Sequence, residues 1–382
     1  MNNMELLGFS VLGLSVLIHI VLVNITIGTG WISAVSRYLA WRRDDANLEL
    51  MSRRVFKILV ITELFSGVWG TIMTVILAGL FPTLLAIATD VLFYPILIAL
   101  TSIIIRIPSI VIFWYSWGRI NPRAHSLLGF VMAASGLGVP IGFRYIFAEI
   151  TSPHAILLSM QGYREEARTQ VFFNPTYPPL ILHTILGALI VGSLVTSSYF
   201  AIKNNMNVKF SRYGLWIGAI LLPLQALVGT WYLLSLGTNS LIIFRNLMGI
   251  SGSTFNAAPI FTAKILIVIL IGVFIYGGLK TTRSGGIAMP GYVAHLGTLS
   301  VAMLVISEFI NDGARYPYFV LVGESGLRPA EFMNIYMDIP LPIVYLVLGS
   351  LLILTGVVIA MFYYALNKKL LADIPAQPGP NI

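Results

Sequence analysis

The sequence predicts an all-α integral-membrane protein of about nine transmembrane helices, with its N-terminus outside and its C-terminus inside. Three observations predict this. Of 382 residues, 57% are apolar and 10% charged, and the mean hydropathy is +0.88, whereas a soluble domain carries about 25% charged residues. Apolar runs long enough to cross a bilayer, ~20 residues as helix, recur along the chain. Lysine and arginine gather in alternate connections between those runs, the pattern that orients a membrane protein.

In order, the runs are 6–39, 55–87, 92–117, 127–148, 180–202, 213–236, 259–279, 292–310 and 341–366. Their ends are soft, because glycine and proline are tolerated inside membrane helices. The first run lacks a basic leader and exceeds the length of a signal peptide, so it reads as a retained helix. The first connection holds Arg37, Arg42, Arg43, Arg53, Arg54 and Lys57, the third Arg119 and Arg123, and the fifth Lys203, Lys209 and Arg212. The seventh holds Lys280 and Arg283, and Lys368 and Lys369 follow the last run. By the positive-inside rule these face the cytoplasm, which leaves the long connections 149–178 and 311–340 outside. The net charge of +8 therefore reflects membrane orientation and not nucleic-acid binding. The expected surroundings are the lipid bilayer of the plasma membrane, crossed many times. Neither an internal repeat nor a linker divides residues 1–370, which read as a single transmembrane domain, and a Pro-rich cytoplasmic tail follows at 371–382. The chain has no cysteine, which excludes disulfides, iron–sulfur clusters, thiolate zinc sites and covalently attached haem.

Ionisable groups inside a span cost ~2.5–3.5 kcal/mol on insertion scales and mark functional positions. His19, in LIHIVLVNITIGTGW, and His183, in LILHTILGALIVG, fall in the outer halves of the first and fifth runs. Neutral imidazole is the usual axial ligand of haem b, and two histidines at matched depth point to one cofactor layer. Gly187 and Gly192 leave room there for a flat macrocycle or a close helix. The alternative for each is a histidine bonded to a neighbouring backbone. His295 lies at the inner end of the eighth run, and His125 and His154 fall in connections as ordinary polar residues. The eighth run ends in SEFINDGARYPY, where Glu308, Asp312 and Arg315 share a helical face. A carboxylate there suits a metal-centre assembly and an arginine suits a haem propionate. The alternative is a solvated helix end with an Asp–Arg pair worth a few tenths of a kcal/mol, roughly 0.3. Lys264, in the outer part of the seventh run, can snorkel outward. Arg106, deep in SIIIRIPSI, needs a counter-charge from a carboxylate, a propionate or a partner subunit. Glu63 fits by type, although the orientation sets it nearer the inner face.

Taken in order, these segments resemble subunit I of the cytochrome bd quinol oxidases. NITIG after His19 is similar to that family's LTLG-like segment, GVWGTIMTVILAG to its GVATGLTMEFQFG type, FWYSWGR to its FFFGWDR, and DGARYPY to its EYGRQPW. HTILGALIVGSLVTSSYF resembles the stretch that carries the low-spin haem b histidine. The resemblance implies a high-spin haem at His19 and a low-spin haem b at His183. Glu308 or Asp312 would serve a second iron, Arg315 and Lys264 the propionates, and a quinone the donor side. It also implies other membrane subunits as partners, paralogous to this chain or subunit II-like. The sequence departs from the family at Ile98 and Arg106, where the third helix carries glutamates, and at Leu266, where a methionine completes the low-spin haem. The quinol-binding loop is reduced to about 237–258. Two readings follow: a haem b-binding electron-transfer subunit of a bd-type complex, or a cofactor-poor structural partner that keeps the fold. A transporter would show broken helices or inverted repeats, and neither is present.

Overall fold

Inside a bilayer every backbone N–H and C=O must be bonded within its own segment, so each apolar run folds as a helix. A computed structural model describes residues 3–202, 208–283, 289–333 and 339–367; the expected tail at 371–382, with Lys203, Lys368 and Lys369, lies outside the described residues. The helices are α1 (Asn3–Arg43), α2 (Ala46–Leu80), α3 (Pro82–Val91), α4 (Phe93–Tyr115), α5 (Pro122–Thr151), α6 (His154–Met160) and α7 (Arg164–Gln170). They continue with α8 (Tyr177–Ile202), α9 (Val208–Asn239), α10 (Leu241–Met248), α11 (Ala258–Arg283), α12 (Leu296–Arg315) and α13 (Leu341–Asn367). Among the described residues nine are long and apolar enough to span a membrane: α1, α2, α4, α5, α8, α9, α11, α12 and α13. The remaining short helices, and an antiparallel hairpin of β1 (Val320–Val322) and β2 (Ser325–Leu327), lie in the connections.

Two boundaries differ from expectation. The run 55–87 is broken at Phe81, whose backbone (φ −127°, ψ 52°) is not helical, because the following Pro82 disfavours helix in the residue before it. Pro82 then opens α3. The first basic connection is only Asp44 and Asp45, with Arg37 to Arg43 still in α1 and Arg53 to Lys57 in α2. Asp45 caps α2 by accepting from the amides of Asn47 and Leu48, which draws the helix start back toward the turn.

At the centre, α1 packs against α2, α5, α8, α12 and α13. Its approach to α8 is set by Gly28 and Gly192: a Cβ on Gly28 would lie 2.7 Å from Gly192 Cα. Small residues allow such contacts, which drive helix association in lipid. Paired serines join the hairpins at their basic ends. Ser33 and Ser52 each donate to the other's carbonyl (3.1 and 2.8 Å), as do Ser197 and Ser211 (2.9 Å each).

The basic end holds a correction. His125 is not a connection residue: it lies in the first turn of α5 and is fully buried. Arg37 Nε donates to its Nδ1 (2.9 Å), and its Nε2–H donates to the Phe113 carbonyl (3.0 Å). Glu49 gathers Arg53 (2.8 Å), Trp117 Nε1 (2.9 Å) and Arg37 (3.5 Å) beside it. At the opposite end, here the loop end, Glu149 accepts from the amides of Ala155 and Ile156 (3.0 and 3.2 Å) and from Asn174 Nδ2 (2.8 Å). Arg168 clamps the same connection to Asp90 at 2.7 Å. These bonds pin both ends of the 152–176 connection over the bundle.

Candidate cofactor site

The contact between Gly28 and Gly192 gives a depth marker. His19 and His183 each lie nine residues toward the loop end from that contact, on α1 and α8, about 13 Å along each helix. The two histidines therefore occupy one layer. Nine residues are two and a half turns, so both point away from the shared contact: His19 toward α2 and His183 toward α9. They form two sites at one depth, not one site.

His19 is held from α2. Its Nδ1 lies 3.0 Å from the Ser66 carbonyl. A carbonyl can only accept, so Nδ1 carries the proton and the neutral ring keeps its lone pair on Nε2. Among the described residues nothing else bonds the ring. Gly70, one turn on, keeps the space beside it open: a Cβ there would lie 3.1 Å from Cε1. His183 is held differently. Gln225 Nε2 lies 3.1 and 3.2 Å from its two ring nitrogens and donates to its carbonyl at 3.1 Å, while Gln225 Oε1 is buried with no partner among the described residues. Tyr232 stacks nearby at 6.1 Å, and Gly229 faces the ring edge.

On α12, Asp312 faces α1, with Oδ2 3.1 Å from where a Cβ on Gly13 would stand. Gly13 is six residues nearer the loop end than His19, about 9 Å. Glu308 is a turn deeper on α12, about 6 Å, which brings it within a few ångströms of the histidine layer. It is buried and accepts from Asn311 Nδ2 at 3.3 Å. The Asp312–Arg315 pair that the spacing allows does not form. Arg315 turns to Asn311 instead, through Nε to its carbonyl (3.1 Å) and Nη2 to Oδ1 (2.9 Å), and reaches Thr151 Oγ1 at 3.5 Å. Its Nη1 is buried and has no partner among the described residues. Lys264, six residues into α11, is half-buried within electrostatic reach of Glu308 and His183.

Arg106 behaves otherwise. It is paired bidentately with Glu63, Nε to Oε1 and Nη2 to Oε2 at 2.9 Å each, and Nη1 donates to the Met132 carbonyl at 3.1 Å. The counter-charge that Arg106 requires is thus Glu63. Ile98 and Leu266, where the resemblance expects a glutamate and a methionine, are 40% and 61% exposed and supply no ligand atom.

Sequence reading passed over Arg144, Gln225 and Tyr232. Arg144 was the findable one, since an arginine inside the run 127–148 is as anomalous as Arg106. Its guanidinium lies over the Phe147 ring at 4.8 Å. Gln225 and Tyr232 carry no sequence signal beyond polarity in an apolar run. A separate cleft of about 220 Å³ opens at the loop end between Thr151–His154, Asn239–Ser240 and the β hairpin, and it is lined by neither His19 nor His183.

The family model for cytochrome bd terminal oxidase subunit I matches residues 10–240, a stretch that includes His19, Arg144 and His183 but ends before Lys264 and α12. No curated protein sequence matches the chain. Among solved structures, the bd oxidase of Geobacillus thermodenitrificans superposes with a TM-score of 0.82, over 96% of this chain and 99% of that one, at 18% identity. That likeness shows the fold, including the part beyond residue 240. The chain belongs to the cytochrome bd terminal oxidase subunit I family and is a multi-pass protein of the plasma membrane with the fold of a respiratory oxidase subunit.

Proposed function

We propose that this chain is a haem b-binding subunit of a bd-type oxidoreductase complex, carrying electrons from quinol or another donor toward a terminal acceptor. His19 carries the reading. A half-buried imidazole whose Nδ1–H is held by the Ser66 carbonyl has its tautomer and orientation set for metal binding through Nε2, the arrangement in which ligating histidines are found. The charges fit the same guest. Arg315 presents a buried Nη1 with no partner among the described residues, and a propionate oxygen would satisfy it. Lys264 is the second cation for such a group. Glu308, at the depth of the histidines, is favoured over Asp312 as the carboxylate facing a second iron. When bound, haem supplies one-electron transfer; the protein's part is to hold the ring, exclude water and balance charge. In this reading the 152–176 connection and the β hairpin face outward, the basic end faces the cytoplasm, residues 1–370 act as one domain, and the other membrane subunits supply what Ile98, Arg106 and the short 237–258 connection do not.

A second reading has support at His183. Gln225 lies against both ring nitrogens, and the residue at 266 is leucine. A haem at His183 requires the amide to turn away, and a structural subunit that kept the fold without that haem would look as this one does. A dithionite-reduced spectrum with a pyridine haemochrome count separates the cases. Two or more haems per chain support both histidine sites, and one haem lost in His19→Ala supports His19 alone. A haem-free chain refutes the proposal in favour of the structural role.

A further inference from the structure

Three cations, Arg144, Lys264 and Arg315, and two carboxylates, Glu308 and Asp312, lie toward the loop end of the bundle, and among the described residues no ion pair joins any of them. The same chain closes a bidentate pair where Arg106 meets Glu63, so unpaired charge in this layer is a feature of the layer. Arg144 is its most exceptional member. Gly129 of α5 touches α1 at Ala34. Counting fifteen residues toward the loop end from that contact reaches Arg144 on α5 and His19 on α1, so the two share a depth. On the other side, Tyr145 stacks on Tyr177 at 3.5 Å and Tyr177 Oη donates to the Ile141 carbonyl at 2.7 Å, which fastens this part of α5 to the turn of α8 that leads to His183. Arg144 lies within electrostatic reach of both histidines. It also stands two turns below Thr151, the Arg315 contact, on the same face of α5.

We infer that Arg144 is a positioning charge common to the two histidine sites, placed on α5 between them so that one guanidinium stabilises the reduced state of the groups bound at both. The inference rests on the haem reading above. A fixed positive charge in a poorly screened interior opposes the additional positive charge of an oxidised iron, and therefore raises its reduction potential. The effect reaches both sites because the charge stands in their shared layer and, among the described residues, no carboxylate closes an ion pair with it, Glu308 acting on it only from a distance. At a separation on the order of 10 Å and an effective dielectric of about 20, removing it should cut the reduced-to-oxidised ratio at fixed ambient potential about tenfold, which is about 59 mV for a one-electron couple.

The test is spectroelectrochemical titration of the full-length protein, in the complex as purified, for wild type, Arg144→Gln and Arg144→Lys. Arg144→Met, whose apolar side chain suits a membrane interior, replaces the glutamine variant if that one does not accumulate. Haem content should stay at the wild-type stoichiometry. The potentials of the bands assigned by His19→Ala and His183→Ala should both fall in the neutral variants and return toward wild type in Arg144→Lys. A shift in only one band, or unmoved potentials at full haem content, overturns the role of Arg144 and leaves the haem reading standing. A haem-free wild type overturns both.

Discussion

Glu63→Gln would leave the Arg106 guanidinium in the middle of the bundle with its counter-charge gone. Arg106 is 4% exposed, and two of its three bonds go to Glu63. Removing one partner of a buried ion pair costs ~3–5 kcal/mol. The lower figure applies here, because the amide oxygen can still accept one of the two bonds and the Glu63 side chain is 25% exposed. We expect Glu63→Gln to destabilise by about 3 kcal/mol. Arg106→Gln should cost a similar amount, since it strands Glu63. The double variant should be close to wild type, because replacing both members of a buried pair by neutral groups is often nearly neutral. The coupling energy is then at least ~2 kcal/mol, outside the scatter of independent sites. Thermal unfolding of the detergent-purified protein, followed by tryptophan fluorescence, reads this out as single-variant transitions lowered by roughly 4 °C. If the two single losses simply add in the double variant, the pair is not a functioning ion pair and the contrast drawn with the loop-end charges loses its basis.

Gly136→Ala acts on the same arginine from the other side: its Cβ would collide with Arg106 Nη1, so we expect a loss comparable to Glu63→Gln in the same assay. Gly192→Val should abolish accumulation of folded protein, since a side chain there meets the α1 backbone at Gly28 and Thr29. Asn174→Ala removes a donor to buried Glu149 and an anchor to the Ser152 carbonyl. It should cost about 1–3 kcal/mol and speed proteolysis within 152–176 while leaving the haem count unchanged. Gln225→Ala should increase haem bound per chain if His183 is a ligand that the amide obstructs; an unchanged count in a haem-containing protein excludes that obstruction.

The spans were legible because the bilayer leaves a sequence few alternatives: an apolar run of sufficient length has to be helical. What stayed hidden depended on side-chain partners that no periodicity records. His125 looked like a polar connection residue, yet its ring takes one bond from Arg37 and gives one to Phe113, both distant in sequence. The matched depth of His19 and His183 was readable from their places in the runs. Their opposite directions emerged only once Gly28 and Gly192 were in contact, because azimuth depends on which face a helix buries. The break at Phe81 is written in Pro82, which membranes tolerate inside a helix but which still disfavours helix in the residue before it. The Asp312–Arg315 spacing was compatible with a pair, but Asn311, adjacent in sequence, competes successfully for the guanidinium.

Arg106 and Arg144 together limit what the chain can be. A structural relic under no demand to bind anything has every reason to neutralise an intramembrane arginine, and at Arg106 this chain supplies a carboxylate in bidentate geometry. At Arg144 the described residues supply an aromatic face and no ion pair, although Glu308 is close enough to be felt electrostatically. Arg315, with a buried unpartnered Nη1, repeats the pattern on another helix. Keeping three cations and two carboxylates apart in one low-dielectric region is unfavourable for the protein alone and becomes favourable only with an anionic guest that reaches several of them. Among ligands held by a histidine through Nε2, a propionate-bearing macrocycle meets that description. The charge arrangement therefore favours an anionic guest over a purely structural role, and the histidines turn that guest into a haem.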